Sequence, residues 1–184
     1  MGRKIIILAA MVAMAVSCDQ VNNKYGQGGR NAAQYVKEQV PGLREDIASV
    51  EIVEVDTLLS DIALSFSRGS FAKAGADFWE GNISRDEYQK MIEDRAQVLQ
   101  DIQYSWQFSL VVNDSLKKLS KYDSMWRRVY KVLVTMKSGD TREPRVLMEQ
   151  DGITPRMLER DFGKQLEEYE HDILQANEDC LTKR

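Results

Sequence analysis

The chain has very little of the residue types on which catalytic and metal-binding chemistry depends. Its 184 residues include one histidine, His171, and two cysteines, Cys18 and Cys180. Ser-His and Cys-His catalysis and histidine-based zinc sites all require a histidine in the site. Because no nucleophile motif accompanies His171, we predict a protein that is not an enzyme, with no catalytic residue, cofactor or bound metal.

Basic charge and long apolar runs are also scarce. The sequence has 25 Lys and Arg against 29 Asp and Glu, which gives a formal net charge of −4. Nucleic-acid binding requires a basic face, so this composition argues against a nucleic-acid partner. The apolar run from Ile5 to Val16 is shorter than the roughly 17 residues that a membrane-spanning helix needs.

That apolar run has the flanks of a secretory leader. Arg3 and Lys4 precede it, and small or modest side chains at positions 15–17 lie directly before Cys18. A basic start, an apolar middle and a small-residue end are typical of a cleaved signal peptide. Cleavage after residue 17 would remove two basic residues and no acidic one, so the net charge would fall from −4 to −6.

The stretch Ala15-Val16-Ser17-Cys18 resembles the lipobox of bacterial lipoproteins, with Ala15 where that motif usually has Leu. The resemblance implies that residues 1–17 are a lipoprotein signal peptide and that Cys18 carries acyl chains such as palmitate. The lipid bilayer would then be a partner, and the protein would be anchored in the cell envelope. An ordinary signal peptide without lipid is the alternative. Asp19 resembles an inner-membrane retention signal of some lineages, so the membrane and its face stay open.

The rest of the chain resembles small lipoproteins of Gram-negative envelopes. Residues 19–30 are rich in Asn and Gly, so we predict that residues 18–30 are the lipidated cysteine and a flexible tether. Residues 31–184 are then predicted as a single α+β domain. We expect several helices packed on a small antiparallel sheet, with a C-terminal hairpin and a long last helix.

Local patterns predict the individual elements. Asn31 is predicted to cap a first helix, and a β-branched run at 50–55 predicts a strand. Asp56 or Thr57 is expected to cap a helix that reaches Trp79. The glycines at 69 and 75 weaken the prediction of this helix. Ser84 and Glu87 form a capping box that starts an amphipathic helix of about 22 residues, antiparallel to the preceding one. Residues 108–112, which follow, fit either the end of this helix or a strand.

A hairpin and a long helix complete the prediction. Alternating apolar residues from position 125 predict a strand, a turn at 138–140 and a returning strand at 145–150, where Pro144 suggests a sheet edge. Thr154 and Pro155 are expected to start the last helix. Its apolar stripe includes Cys180, so we expect a buried thiol there, with an intermolecular disulfide or a reactive thiol as the alternative.

Few residues are candidates for a site. Glu168 and His171 have the spacing of half a helical metal site, but no second histidine exists, so we favour a solvated face. Arg127, Arg128, Lys131 and Arg145 would be either a basic patch or a solvated strand edge. The leading hypothesis is a non-enzymatic interaction or accessory module that binds an unidentified envelope protein through an exposed apolar patch. The alternative is a small-ligand-binding lipoprotein whose pocket is lined by Arg128 and by Trp79, Trp106 and Trp126.

Overall fold

The computed structural model describes residues 24–39, 46–116 and 125–182, with the backbone only for 109–116. The predicted signal peptide and the lipidated Cys18 lie outside these residues. The described part is an α+β fold with four helices, the last of them long, and an antiparallel sheet of five strands. The helices are α1 (Gly26–Gln39), α2 (Asp61–Trp79), α3 (Arg85–Leu116) and α4 (Glu159–Thr182). The strands are β1 (Ile47–Leu59), β2 (Trp126–Met136), β3 (Thr141–Arg142), β4 (Arg145–Met148) and β5 (Pro155–Leu158).

The chain divides into two compact units, Met1–Asp56 with Arg128–Glu159, and Thr57–Arg127 with Arg160–Arg184. Within the described residues, the first unit holds α1 and most of the sheet, and we call it the sheet unit. The second holds α2, α3 and α4, and we call it the helical unit. The sheet has the strand order β1-β2-β4-β5, and β3 pairs with β2.

The sheet unit has its core where α1 covers one face of the sheet. Alternate residues of β2 point to this face, which confirms the period-two pattern behind the predicted hairpin. The small side chains of Ala32 and Ala33 let the helix approach the strands closely, and Tyr35 Oη donates to the Arg156 carbonyl at 3.2 Å. The core residues from the sheet are Val50, Ile52, Tyr130, Val132, Val134, Val146, Met148 and Leu158.

The start of α1 corrects the predicted tether. The helix begins at Gly26 rather than at Asn31, so residues 26–30 are helical and not flexible. Gly28 is buried so closely that a Cβ there would overlap the Gly152 carbonyl and the Tyr130 hydroxyl. Asn31 lies inside the helix, and its Nδ2 donates to the Ile153 carbonyl at 2.9 Å. Packing against the sheet therefore outweighs the poor helix propensity of the glycines.

Two predictions at the sheet were wrong. β4 lies between β2 and β5, so it is not an edge strand. Pro144 precedes the strand, and its carbonyl accepts a hydrogen bond from the Val132 amide at 2.9 Å. Pro155 does not start a helix but begins β5, where it pairs with Met148, and α4 starts at Glu159.

Asp151 explains why the chain after it is a turn rather than a helix start. Its Oδ1 accepts from the amides of Ile153 and Thr154 at 2.7 and 2.8 Å, and its Oδ2 accepts from the Thr154 hydroxyl at 2.6 Å. These bonds, the Thr154 side-chain bond foremost, hold the pKa of Asp151 below its usual value. The hydroxyl expected to cap a helix is therefore used within the turn.

In the helical unit the cap of α2 also differs from the prediction. Asp56 and Thr57 lie in β1, and Ser60 is the N-cap. Its Oγ accepts from the Ile62 amide at 3.1 Å and donates to the Met125 carbonyl at 2.7 Å. The helix continues through Gly69 without interruption to Trp79.

The capping box of α3 is confirmed. The Ser84 amide donates to Glu87 Oε2 at 2.7 Å, and the Glu87 amide donates to Ser84 Oγ at 3.2 Å. The Ser84 hydroxyl also donates to Glu87 Oε2 at 2.8 Å, and the bonds from the Ser84 amide, foremost, and from this hydroxyl lower the pKa of Glu87. The helix is longer than predicted, with 32 residues, so no strand or new segment begins before Leu116.

Contacts between α2 and α3 run in opposite order along the chain, as expected for an antiparallel pair. Phe78 stacks on Tyr88 with ring centroids 4.5 Å apart, and Arg95 Nη2 donates to Ser70 Oγ at 2.6 Å. In α4 the predicted apolar stripe is confirmed for its buried members, which are Phe162, Tyr169, Ile173 and Cys180. Leu158, expected to open that stripe, belongs to β5.

Candidate functional site

The helical unit contains an open groove of about 590 Å³ between α2 and α4. Helix α2 contributes a segment with small side chains, and α4 contributes polar and aromatic ones. The lining residues are Arg68, Gly69, Phe71 and Ala72 from α2, and Tyr169, His171, Asp172 and Gln175 from α4. The small residues that weakened the prediction of α2 therefore form part of the wall of a concave surface.

The floor of the groove is fixed by a buried hydroxyl pair. Tyr169 packs edge-on against Phe71 with ring centroids 6.1 Å apart, and its hydroxyl lies 2.7 Å from the buried Ser67 hydroxyl. Burial raises the pKa of Tyr169, while the Ser67 bond and the positive charges of Arg95 and Arg68 act in the opposite direction. The tyrosine is therefore a neutral, rigid support near pH 7.

Arg68 lies across the mouth of the groove. Its guanidinium is 3.2 Å from Asp172 and 3.8 Å from Glu168, and its centre lies 5.9 Å from the centroid of the Tyr169 ring. These side chains are partly solvent-exposed, so each ion pair contributes only about 0–1 kcal/mol. Because the pairs are weak, an incoming charged group can exchange with Arg68 at little cost.

One carboxylate and one guanidinium line the groove, those of Asp172 and Arg68, and further carboxylates follow along the same stretch of α4. Glu168 and Asp172 oppose Arg68 at its mouth, and Glu167 lies one turn before His171 on α4. The segment from residue 167 to residue 172 has four carboxylates and no Lys or Arg. This charge pattern favours a cationic group in the groove over an anionic one.

The two helices that line the groove also carry two large apolar side chains that are exposed to solvent. Phe66 of α2 and Leu174 of α4 are each 64% exposed. Phe66 lies three residues before Gly69, and Leu174 lies three residues after His171, so both are neighbours of lining residues on their helices. A second exposed pair, Tyr104 and Phe108 on α3, has ring centroids 4.5 Å apart.

Most residues singled out in the sequence lie elsewhere. Trp106 and Trp126 are buried, Trp79 is 53% exposed, and no tryptophan lines the groove. Trp106 Nε1 donates to the Leu59 carbonyl at 2.7 Å, and its ring packs against Phe162. Arg128 belongs to the sheet unit. The groove is therefore a different site from the predicted pocket of tryptophans and Arg128, which stays a prediction.

The predicted basic patch is not a free basic surface. Arg127 is buried, and its Nη1 donates to the Trp126 carbonyl at 2.8 Å. Lys131 lies 2.9 Å from Glu143, which raises the pKa of the lysine, and Arg145 lies 3.4 Å from Glu159. Two of the four side chains are thus held by carboxylates and a third is buried.

His171 is exposed and lines the groove, while Glu168 faces Arg68. Within residues 24–39, 46–116 and 125–182, no cluster of three or more His, Cys, Asp or Glu is placed to hold a metal ion. The sequence analysis missed Arg68, Phe71 and Asp172 as groove residues. The available signal was the run of small residues at positions 69–76 of α2, of which only the glycines at 69 and 75 entered the prediction.

Comparisons with protein-family models, with curated proteins and with solved structures find no match for this chain. Among the helices of the described segments, none has the length and apolar character that crossing a bilayer requires. The case for a function therefore depends on the groove and its charges.

Proposed function

We propose that this protein is a membrane-anchored envelope lipoprotein that acts as a non-enzymatic interaction module. In this proposal Cys18 carries the lipid, and the groove between α2 and α4 binds a short segment of an envelope protein. The observation that carries the proposal is the open groove lined by Phe71, Tyr169 and Asp172, on two helices that also expose Phe66 and Leu174.

The partner segment is proposed to carry a basic side chain next to an apolar one. A Lys or Arg would face Asp172 and Glu168, with its aliphatic stem along the aromatic rings of Phe71 and Tyr169. An adjacent apolar side chain would cover Phe66 or Leu174 and remove apolar surface from water, which contributes about 25 cal/mol per Å².

A small-ligand-binding lipoprotein is the second candidate. The volume of about 590 Å³ falls within the range of small-molecule sites. Such sites bury most of the ligand surface, whereas this groove is open to solvent along its length. An extended protein segment fits an open groove better than a compact small molecule does.

Photo-crosslinking in the producing bacterium tests the proposal. A photoreactive amino acid would replace Gln175, which lines the groove, and in a control Gln97 on α3. Both are exposed glutamines whose side-chain amides donate to an aspartate four residues later, Gln175 to Asp179 at 3.3 Å and Gln97 to Asp101 at 3.0 Å. We expect a discrete adduct at position 175 and none at 97.

The crosslinked segment is then identified by mass spectrometry and synthesised as a peptide. We expect it to contain a basic residue beside an apolar one, and to bind the Asp172→Lys variant at least tenfold more weakly than the wild-type protein. Equal adducts at positions 175 and 97, or a peptide whose affinity is unchanged by Asp172→Lys, would contradict the proposal. Mass analysis of the mature amino terminus tests the lipid at Cys18 separately.

A further inference from the structure

At one end of the sheet unit, three parts of the chain meet. The Asn31 side chain donates to the Ile153 carbonyl, which joins α1 to the turn before β5. The same turn contacts β2, because a Cβ on Gly152 would lie 3.4 Å from Arg128 Nη1. We call this end the Ile153 surface and define it by Lys24, Gln27, Arg30, Arg128 and Ile153.

The Ile153 surface is basic, although the chain as a whole is acidic. Lys24, Arg30 and Arg128 are all exposed, and Ile153 is 44% exposed. The turn also contributes one carboxylate, Asp151, and its lowered pKa keeps it negatively charged at neutral pH, so the surface has three positive charges and one negative. A net positive charge together with an exposed aliphatic side chain matches a surface of anionic headgroups with apolar material beneath them.

The length of chain before this surface limits how far it lies from the anchor. Lys24 is six residues after Cys18. An extended chain spans at most about 3.6 Å per residue, so these two residues are at most about 22 Å apart. The headgroup layer on each side of a bilayer is about 5–8 Å thick. A lipid on Cys18 would therefore keep the start of α1 beside the membrane whatever path the chain takes.

We propose that the Ile153 surface rests on anionic phospholipid headgroups of the membrane in which Cys18 is anchored. This inference depends on the lipid anchor of the proposed function, but not on the groove of the helical unit. Each basic residue near an anionic surface is expected to raise the occupancy of the contact about fivefold. Ile153 would enter the headgroup layer between them.

Fluorescence quenching by lipid tests the contact. The mature lipidated protein would be reconstituted into vesicles of phosphatidylcholine with phosphatidylglycerol, some of it brominated. A thiol-reactive fluorophore is placed by Gln27→Cys or Ile153→Cys, and in a control by Asp140→Cys. The native Cys180 is buried and Cys18 is blocked by lipid. Asp140 lies in the turn that follows β2, beyond Met136, and the eight steps along the strand from Arg128 to Met136 span about 26 Å.

We expect brominated lipid to quench the probes at positions 27 and 153 several times more strongly than the probe at 140. Pure phosphatidylcholine vesicles, or the double variant Lys24→Gln with Arg30→Gln, should reduce the quenching at 153 at least fivefold. An unchanged circular dichroism spectrum shows that the double variant is folded.

Three results would overturn the inference. The first is equal quenching of the probes at positions 153 and 140. The second is quenching at 153 that stays the same without phosphatidylglycerol and in the double variant. The probe at 153 could also be shielded from both brominated lipid and aqueous iodide, which would place a protein or a second copy on this surface. Mass analysis separates the two proposals. An acylated chain without quenching removes only this inference, whereas a chain without acyl groups removes the anchor and this inference with it.

Discussion

Replacing Gly28 by alanine should destabilise the protein, although alanine is the better helix former. In the interior of a helix, alanine is favoured over glycine by about 1 kcal/mol. At Gly28 the added Cβ would overlap the Gly152 carbonyl and the Tyr130 ring, and neither a backbone oxygen nor a buried ring can move away easily. Overpacking of this kind costs about 1–3 kcal/mol, and more when the backbone must shift.

Gly163 offers a matched control, because it also lies near the start of a helix. A Cβ there would meet nothing within 4 Å. Gly163→Ala should therefore raise the free energy of unfolding by about 0.5–1 kcal/mol, while Gly28→Ala should lower it by about 1–3 kcal/mol. Urea denaturation followed by circular dichroism at 222 nm measures both. A Gly28→Ala variant as stable as the wild type would refute the claim that α1 is seated directly on the turn at Gly152.

The helical unit supports two further predictions. Tyr169→Phe should lower the free energy of unfolding by about 1–3 kcal/mol, because it leaves the buried Ser67 hydroxyl without its partner. Since burial raises the pKa of Tyr169 in the folded protein, its contribution is full below pH 10 and is lost as pH rises through the folded-state pKa. Denaturation curves between pH 8 and about 11 should therefore fall less steeply with pH for Tyr169→Phe, and an equal slope would contradict this. Trp106→Phe removes the bond to the Leu59 carbonyl and should cost about 1–3 kcal/mol, whereas Trp79→Phe should change stability by less than about 0.5 kcal/mol. Equal losses in urea denaturation would show that the Trp106 bond is not important.

The sequence predicted the α+β class because local patterns were strong where local physics decides the structure. The capping box of Ser84 and Glu87 uses only residues three apart, so it could be recognised before any tertiary contact was known. The alternation of Tyr130, Val132 and Val134 likewise reflects a single buried face of one strand. Elements of this kind were placed correctly.

The errors lie where distant residues decide the local structure. Nothing near Gly28 in the sequence indicates that it packs against a carbonyl more than a hundred residues later, so the tether was predicted to be too long. Thr154 and Pro155 match the usual pattern of a helix start. However, the Thr154 hydroxyl donates a hydrogen bond to Asp151, and Pro155 pairs with β4. In both cases tertiary hydrogen bonding and packing outweighed propensity.

The groove was hidden for a related reason. Tyr169 was recognised only as one member of an apolar stripe, and Arg68 carried no motif. Their proximity arises from the packing of α4 on α2, two helices separated by the whole of α3 and the sheet strands in sequence. The charges on one helix form a site only together with the residues of the helix packed beside it. Without knowing which helix that is, this part of the site could not be predicted.

The buried thiol of Cys180 gives the molecule a built-in reporter of local opening. Only 1% of this residue is exposed, and it lies two residues before Thr182, where α4 ends, on the inner face of that helix. A colourless disulfide reagent that releases a dye would react only when that last turn detaches. The rate of dye release under native conditions would therefore follow fraying of α4 without any engineered label, and it would reveal whether occupancy of the neighbouring helix surface slows that fraying.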